Sequence, residues 1–371
     1  MGEVQIEAAY GQDPASGAWL CPLRLRWGLS PRQEMSPELE DRLCYTATRA
    51  GSFEAAAELA AKWDSPVDGA TIHRHVQQVG GRAERLQEAR VARALDHRTR
   101  PEVVAEAARH LGGRVFSLLI ELDGWMVRER AAQWGLKPPE IKAERVLWHE
   151  MKSAAIFRLE DRVVKDGGRR LLVEKFTVAW RGGVEEFGRR LQAEALRRGL
   201  CQARRVYVVA DGAVWIWNLV ADRLSGSVEL VDFYHASQHV WAVAHALYGE
   251  EPQAAAWAVP LLHQLKHGEA GRLVGELGRA LGELSQDSAA RAVVEGERAY
   301  FERHLGRLDY AGAAQAGCPL GSGAVESLCG QLQDRFKRTG QFWSWPGETQ
   351  LLALELARRN LDWDQLWSTT W

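Results

Sequence analysis

The chain has little cysteine, and its few cysteines have no recognisable spacing. Five are scattered over 371 residues, and none forms a CxxC pair. An odd, scattered set argues against a disulfide framework or a structural zinc site. The sequence therefore predicts reduced thiols in a cytosolic protein.

Long apolar runs and a net charge are also missing. No run approaches the roughly 18–20 apolar residues that a membrane span needs, and the polar, acidic first residues do not resemble a signal peptide. Lys and Arg number 47 and Asp and Glu number 49, which gives a net charge of -2. This balance excludes a uniformly cationic nucleic-acid wrapper but leaves room for a local basic groove.

What the chain does have is a globular composition with many tryptophans. Hydrophobic residues make up 46% and charged residues 26%, and the length fits two to three domains. Tryptophan occurs 16 times. So many indoles suggest that some lie on surfaces that stack on flat partners.

Residues 1–113 read as an N-terminal helical region. Short helical patterns occur at SPELEDRLCYTATRAG, SFEAAAELAAKW and GATIHRHVQQVGG, and Asp68 can cap the third. Within residues 36–80 this pattern fits a helix-turn-helix, with an ordinary helical bundle as the alternative. The polar face of its third helix would contact DNA through His73, Arg74, His75 and Gln77. Residues 82–109 read as a charged helical connector.

Residues 114–240 alternate between strand and helix patterns. Apolar runs predict strands at 115–122, 148–159, 171–180, 205–210 and 227–231, with a hairpin turn at 166–168 and an amphipathic crossover helix at 184–199. This order predicts an α/β fold with an RNase H-like sheet. A helical insertion then spans 241–309, and residues 310–371 complete the core with a helix from about Gly323.

Three carboxylates are selected by their placement. Asp123 and Asp211 each follow an apolar strand and precede glycine, and Glu326 begins the late helix. The carboxyl ends of neighbouring parallel strands converge at one sheet edge, where adjacent carboxylates repel and favour a cation. Oxygen ligands suit two Mg²⁺ or Mn²⁺ ions that activate a water or a 3′-hydroxyl. The alternative for each aspartate is a turn residue, because Asp-Gly is also a turn signal.

Several blocks of this sequence resemble a known family. LIELDG, VVADGAVWIW, VDFYHASQH and GSGAVES…FKRTGQFWS are similar to DDE transposases of bacterial insertion sequences, most closely the ISKra group and more distantly Mutator-like elements. The resemblance runs from about Cys44 to Trp345. It implies that Asp123, Asp211 and Glu326 are the catalytic and metal-binding DDE triad.

The DxxH motif of such families matches Asp232 and His235. On a helix Asp232, His235 and His239 would share one face, which suggests an accessory role near the metals or DNA. The alternative is a helix-capping aspartate with two ordinary histidines.

A basic and aromatic stretch follows Glu326. Many DDE enzymes carry a Lys or Arg about two turns after the glutamate, but here that position is Gln333. We expect the phosphate contacts to come instead from Arg335, Lys337 and Arg338, with Trp343 beside them. A solvated helix end and ordinary core packing are the alternatives.

The sequence thus predicts a metal-dependent DNA transposase of a mobile element. It would bind double-stranded DNA at its element's ends and at the target, and act as a homodimer or larger oligomer at the nucleoid of the bacterial cytoplasm, with no membrane partner. The competing hypotheses are an RNase H-like nuclease or resolvase without strand transfer, a catalytically silent DNA-binding regulator derived from a transposase, and a glycosidase with paired carboxylates.

Overall fold

The computed structural model describes residues 9–26, 35–132, 134–135, 145–164, 170–249 and 252–368. It is a mixed α/β protein, as the sequence predicts. The strands are β1 (Gly11–Gln12), β2 (Trp19–Leu20), β3 (Ser117–Arg130), β4 (Val146–Arg158), β5 (Arg162–Val164), β6 (Arg170–Leu172), β7 (Phe176–Arg181), β8 (Arg205–Ala210) and β9 (Val228–Val231).

Helices connect and follow these strands. They are α1 (Pro22–Arg26), α2 (Pro37–Arg49), α3 (Phe53–Ala61), α4 (Gly69–Leu95), α5 (Arg100–Leu111), α6 (Val184–Arg197), α7 (Val214–Arg223), α8 (Phe233–Tyr248), α9 (Gln253–Lys266), α10 (Ala270–Glu283), α11 (Ala289–His304), α12 (Tyr310–Gln315), α13 (Gly323–Phe336), α14 (Trp345–Arg359) and α15 (Gln365–Ser368). Among the described residues, no helix combines the length and apolar character needed to cross a membrane.

The chain divides into two compact units. The first comprises Met1–Ala89, Val127–His149 and Gln331–Trp371, and the second comprises Arg90–Met126 and Glu150–Gly330. This division follows spatial contacts and groups residues from distant parts of the chain. The four-part domain division expected from the sequence stays a prediction.

The five-stranded sheet forms the centre of the second unit. Its order is β7-β4-β3-β8-β9, with β3, β8 and β9 mutually parallel and β4 antiparallel to β7. Phe187 and Leu191 from α6 and Ile216 and Val220 from α7 are fully buried in the same apolar core as the strands. Each of these four side chains stabilises the fold by about 1.5–3 kcal/mol through burial. Because Phe187 and Leu191 belong to the apolar stripe of α6, the amphipathic pattern at 184–199 predicts that helix well.

Two strand predictions need correction. The apolar run at 115–122 does not end at Asp123-Gly124, because β3 continues to Arg130. The run at 171–180 is split into β6, which forms a small hairpin with β5, and β7, which pairs with β4. The predicted turn at 166–168 lies outside the described residues.

The first unit contains the N-terminal helices. Ser36 and Ser52 cap α2 and α3 by accepting N–H groups of Leu39 and Ala55, and Asp68 caps α4 through Thr71, as predicted. A helix end at Gly81 was expected, but α4 continues to Leu95. The helix-turn-helix character of this region stays a prediction.

Close packing explains the first of two adjacent glycines in α4. A Cβ at Gly80 would lie 2.5 Å from the backbone oxygen of Gln350 in α14, whereas a Cβ at Gly81 would meet nothing closer than 3.7 Å. Glycine costs a helix interior about 1 kcal/mol relative to alanine. At Gly80 that cost is offset by the backbone approach of α4 and α14.

Gly80→Ala should therefore destabilise the protein by about 1–3 kcal/mol, because the methyl group forces the two helices apart. Gly81→Ala is the matched control and should be neutral or stabilising by up to about 1 kcal/mol. Urea denaturation followed by circular dichroism measures both. Equal midpoints for the two variants would contradict this packing.

Candidate active site

The register of the parallel strands places three aspartates side by side. Leu122 of β3 pairs with Ala210 of β8, and Ala210 pairs with Val231 of β9. The residues that follow these three positions are Asp123, Asp211 and Asp232. Three carboxylates therefore follow one transverse row of three neighbouring strands in the second unit.

Asp123 is partly buried and only partly compensated. Its Oδ1 accepts the N–H of Gly124 at 2.7 Å, and its side chain bonds the thiol of Cys329 on α13. Burial raises the pKa of Asp123, and the charge of Asp211 raises it further, whereas the Gly124 and Cys329 bonds and the charge of His235 lower it. The raised pKa marks a carboxylate whose negative charge lacks sufficient local compensation.

Asp211 forms a tight turn between β8 and α7. Its Oδ1 accepts the N–H of Ala213 at 2.9 Å. A Cβ at the following Gly212 would overlap the ring of Tyr300, which comes from α11. Glycine is required here because the aromatic ring lies against the backbone.

The Tyr300 hydroxyl lies beside this carboxylate row. The hydroxyl oxygen is buried and has no hydrogen-bond partner among the described residues. Burial raises the pKa of Tyr300, and the charges of Asp211, Glu297 and Asp232 raise it further. The hydroxyl is therefore held protonated, as a donor close to the aspartates.

Asp232 is fully buried, and both of its oxygens are occupied. Oδ1 accepts the N–H groups of Tyr234 and His235 at 2.6 and 3.1 Å, which caps α8. Oδ2 accepts the N–H and the hydroxyl of Ser322 at 2.5 and 2.6 Å. Four hydrogen bonds explain how a carboxylate can be 0% exposed, and they tie the end of β9 to the segment before α13.

Glu326 lies in the first turn of α13, as predicted, with its side chain exposed. Its Oε1 lies 3.3 Å from the Ser322 hydroxyl oxygen, whose proton is donated to Asp232. Cys329, one turn further on the same helix face, bonds Asp123. Burial raises the pKa of the Cys329 thiol, and the charges of Asp123 and Glu326 raise it further. This contact brings the start of α13 to the Asp123 end of the aspartate row.

The start of α13 offers a candidate metal site. Among the described residues, Asp232, His235 and Glu326 each place one potential ligand atom within 4.8 Å of the other two. Asp123 and Asp211 are not members of that group. Each oxygen of Asp232 already accepts two hydrogen bonds from the protein. We therefore describe Asp232 as a support for the start of α13 and not as a metal ligand.

The remaining accessory residue, His239, contacts residues of α11. Its Nδ1 lies 2.6 Å from Glu297, and its ring stacks on Tyr300 at a centroid distance of 3.8 Å. Of the three residues expected to share one helix face, Asp232 caps the helix, His235 joins the candidate metal group, and His239 pairs with α11.

The predicted DNA contacts of the N-terminal helices divide into two sets. Arg74 is exposed, and His73 and Gln77 are half-buried, with His73 packed against Phe53. His75 is only 5% exposed, and its Nδ1 lies 2.6 Å from the buried Glu40. The expectation that His75 faces DNA is therefore wrong, because the buried pair with Glu40 fixes it inside.

Two residues of the stretch after Glu326 are also interior. Arg335 is 5% exposed and donates to the carbonyl of Ala47, and burial lowers its pKa to about 10. Trp343 is 8% exposed and donates to the carbonyl of Phe336. Both side chains are therefore interior instead of exposed, and their contact with DNA stays a prediction.

Lys337 and Arg338 remain accessible, but α13 ends at Phe336, so Lys337 follows the helix instead of continuing its face. The ring centroid of Trp148 lies 5.6 Å from Nζ of Lys337 and 5.8 Å from the guanidinium carbon of Arg128. Trp148 is 52% exposed. We call Arg128, Trp148 and Lys337 the Trp148 surface, a cationic and aromatic patch of the first unit. The guanidinium of Arg338 lies instead against Gly51.

Sequence reasoning missed Trp148, Tyr300 and Cys329, because their roles depend on partners far away in the chain. Glu121 had a readable signal: it is a carboxylate inside an apolar strand run. It is 1% exposed, and burial raises its pKa to about 7, against the opposing effects of the N–H groups of Val325 and Ala324 and the charge of Lys175.

Comparison with known proteins identifies no relative: no family model matches the chain, and no curated protein matches its sequence significantly.

Asp123→Asn should stabilise the metal-free protein, by about 0.5–2 kcal/mol, because it removes a partly buried charge next to Asp211. The pKa of Asp123 is raised on folding, so its ionisation lowers stability as pH rises from 3.8 through the folded pKa. The stability gained by Asp123→Asn should be fully present above the folded pKa of Asp123 and should shrink as the pH falls below it. Urea denaturation at several pH values measures it in a chelating buffer, with the exposed Asp287→Asn as control. A pH-independent loss of stability would contradict the proposed repulsion.

Proposed function

We propose that this protein is a DDE transposase, which binds the ends of its DNA element and catalyses metal-dependent strand cleavage and strand transfer. The observation that carries the proposal is the register of Asp123 and Asp211 on neighbouring parallel strands, with the Glu326 helix joined to Asp123 through Cys329. Carboxylates at adjacent carboxyl ends of parallel strands mark the ligand-binding edge of an α/β sheet.

The topology supports an RNase H-like core. Counted along the chain, the sheet strands stand in the order third, second, first, fourth and fifth, and the first, fourth and fifth are parallel. Helices from Phe233 to His304 separate the last strand from the Glu326 helix, which fits the expected helical insertion.

The donor set suits Mg²⁺ or Mn²⁺. Asp123, Asp211 and Glu326 offer only carboxylate oxygens, and the raised pKa of Asp123 is relieved by a cation. These three residues would hold two divalent ions, with His235 beside them. Bound ions would supply activation of the attacking water or 3′-hydroxyl and stabilisation of the leaving oxygen.

The protein's own groups would prepare the site for this chemistry. Asp232 holds Ser322, whose hydroxyl oxygen lies 3.3 Å from Oε1 of Glu326. The buried, protonated Tyr300 hydroxyl near Asp211 can donate a hydrogen bond to a phosphate oxygen. The ring of Tyr300 lies against Gly212, the residue that follows Asp211.

Double-stranded DNA is the proposed partner. The Trp148 surface offers charges for the phosphate backbone, and the exposed Arg74, with His73 and Gln77, remains the candidate contact of a helix-turn-helix. Joining two element ends requires two active sites, so we propose a homodimer or a larger assembly on DNA.

Single substitutions of the triad test the proposal. Asp123→Ala, Asp211→Ala and Glu326→Ala should each reduce Mn²⁺-dependent nicking of a duplex that carries the DNA flanking this coding sequence by at least about 10³-fold. Gel-shift binding of the same duplex should be unchanged. The exposed Asp287→Ala serves as the control.

The product decides between the neighbouring hypotheses. A transposase joins the freed 3′ end to a second DNA, whereas a nuclease or resolvase of the same fold releases cut ends only. Cleavage that survives in any of the three triad variants would refute the assigned site. Binding without any metal-dependent cleavage by the parent protein would indicate a silent regulator.

A further inference from the structure

Glu121 is a buried carboxylate that the proposed chemistry does not use. It lies in β3 among fully buried apolar residues and is 1% exposed. Burying a carboxylate is costly unless hydrogen bonds compensate it. Its position in the central strand of the sheet therefore needs a specific explanation.

The compensation comes from the start of α13. The Oε2 atom of Glu121 accepts the N–H groups of Ala324 and Val325 at 2.8 and 2.9 Å. The first N–H groups of a helix have no partner inside the helix, and a negative charge is favourable there. Lys175 donates to the carbonyl of Ala324 at 3.1 Å and adds a third bond to this turn.

These bonds fix the residue that follows them. Ala324 and Val325 directly precede Glu326. Glu121 and Asp123 are two residues apart on β3 and so point to the same face of the sheet, where Asp123 bonds Cys329 of the same helix. The helix is thus attached to β3 at two points, one on each side of Glu326.

A second buried carboxylate holds the same turn from the other side. Asp232, at the end of β9, accepts the N–H and hydroxyl of Ser322. In the sheet, β8 with Asp211 lies between β3 and β9. The start of α13 is therefore anchored to the strands on both sides of Asp211.

We propose that Glu121 is a positioning residue, which seats the first turn of α13 so that the Glu326 carboxylate meets Asp123 and Asp211. The inference rests on the proposed function of these three carboxylates. Glu121 is 1% exposed and acts through the backbone N–H groups of Ala324 and Val325.

The readout is the Mn²⁺ affinity of the protein without DNA, measured by electron paramagnetic resonance of the free ion. A purely structural role of Glu121 would leave this affinity unchanged. Glu121→Leu removes the acceptor of two buried N–H groups and should weaken Mn²⁺ binding about 10–100-fold. Glu121→Gln retains an oxygen that can accept both bonds and should stay within about 3-fold of the parent.

The matched control is Glu194→Leu in the same unit. Glu194 is 8% exposed and pairs with Arg197 and Arg198 at the end of α6, so its loss should lower stability as well. Mn²⁺ affinity should nevertheless be unchanged. If Glu121→Leu does not fold by circular dichroism, Glu121→Asp replaces it, because a shorter carboxylate withdraws the acceptor from α13 and should still weaken binding several-fold.

The outcomes separate this inference from the function on which it rests. Weakened binding in Glu121→Leu, restored in Glu121→Gln, supports the positioning role even if the parent protein does not cut DNA, a result that would refute only the transposase proposal. Parent-like Mn²⁺ affinity in Glu121→Leu or Glu121→Asp overturns the positioning role while leaving the triad intact. A parent protein that binds no Mn²⁺ overturns both.

Discussion

Parallel pairing of β3, β8 and β9 is the constraint on which the candidate site depends. Because Leu122, Ala210 and Val231 are in register, the aspartates that follow them are neighbours in space although they are far apart in the sequence. A shift of one residue in either pairing would turn every side chain of that strand to the opposite face of the sheet. The apolar core under these strands therefore sets the geometry of the carboxylates as well as the stability of the unit.

The protein compensates the acids of this region unequally. Asp232 is fully buried, and three backbone N–H groups and the Ser322 hydroxyl bond its two oxygens. Glu121 is also buried, but its two N–H bonds offset that burial only in part, and its pKa is raised to about 7. Asp123 has a raised pKa and a neighbouring like charge, and Glu326 is exposed. The hydrogen bonds of Asp232 and Glu121 hold the start of α13 against the sheet, whereas Asp123 and Glu326 remain available to a cation. This unequal distribution is typical of functional sites, where local stability is lower than packing would allow.

Local patterns predicted the elements whose own residues determine them. The amphipathic stripe of α6, the apolar strands β8 and β9, the caps of α4 and the start of α13 all appear where the sequence indicates. The continuation of β3 through Asp123-Gly124 and of α4 through Gly80-Gly81 could not be read locally, since both depend on a distant partner. The same holds for the burial of His75, Arg335 and Trp343, each of which bonds an interior partner through one side-chain nitrogen. The roles of the carboxylates in catalysis and of the N-terminal helices in DNA binding stay predictions.

The central claim is that Asp123, Asp211 and Glu326 together bind divalent cations. Anomalous diffraction from crystals soaked in Mn²⁺ tests it most directly, because the position of the metal is seen independently of any reaction. The account predicts anomalous peaks coordinated by these three carboxylates. A peak held by Asp232 and His235 without Asp123 or Asp211, or no peak at this edge of the sheet at saturating Mn²⁺, would contradict it.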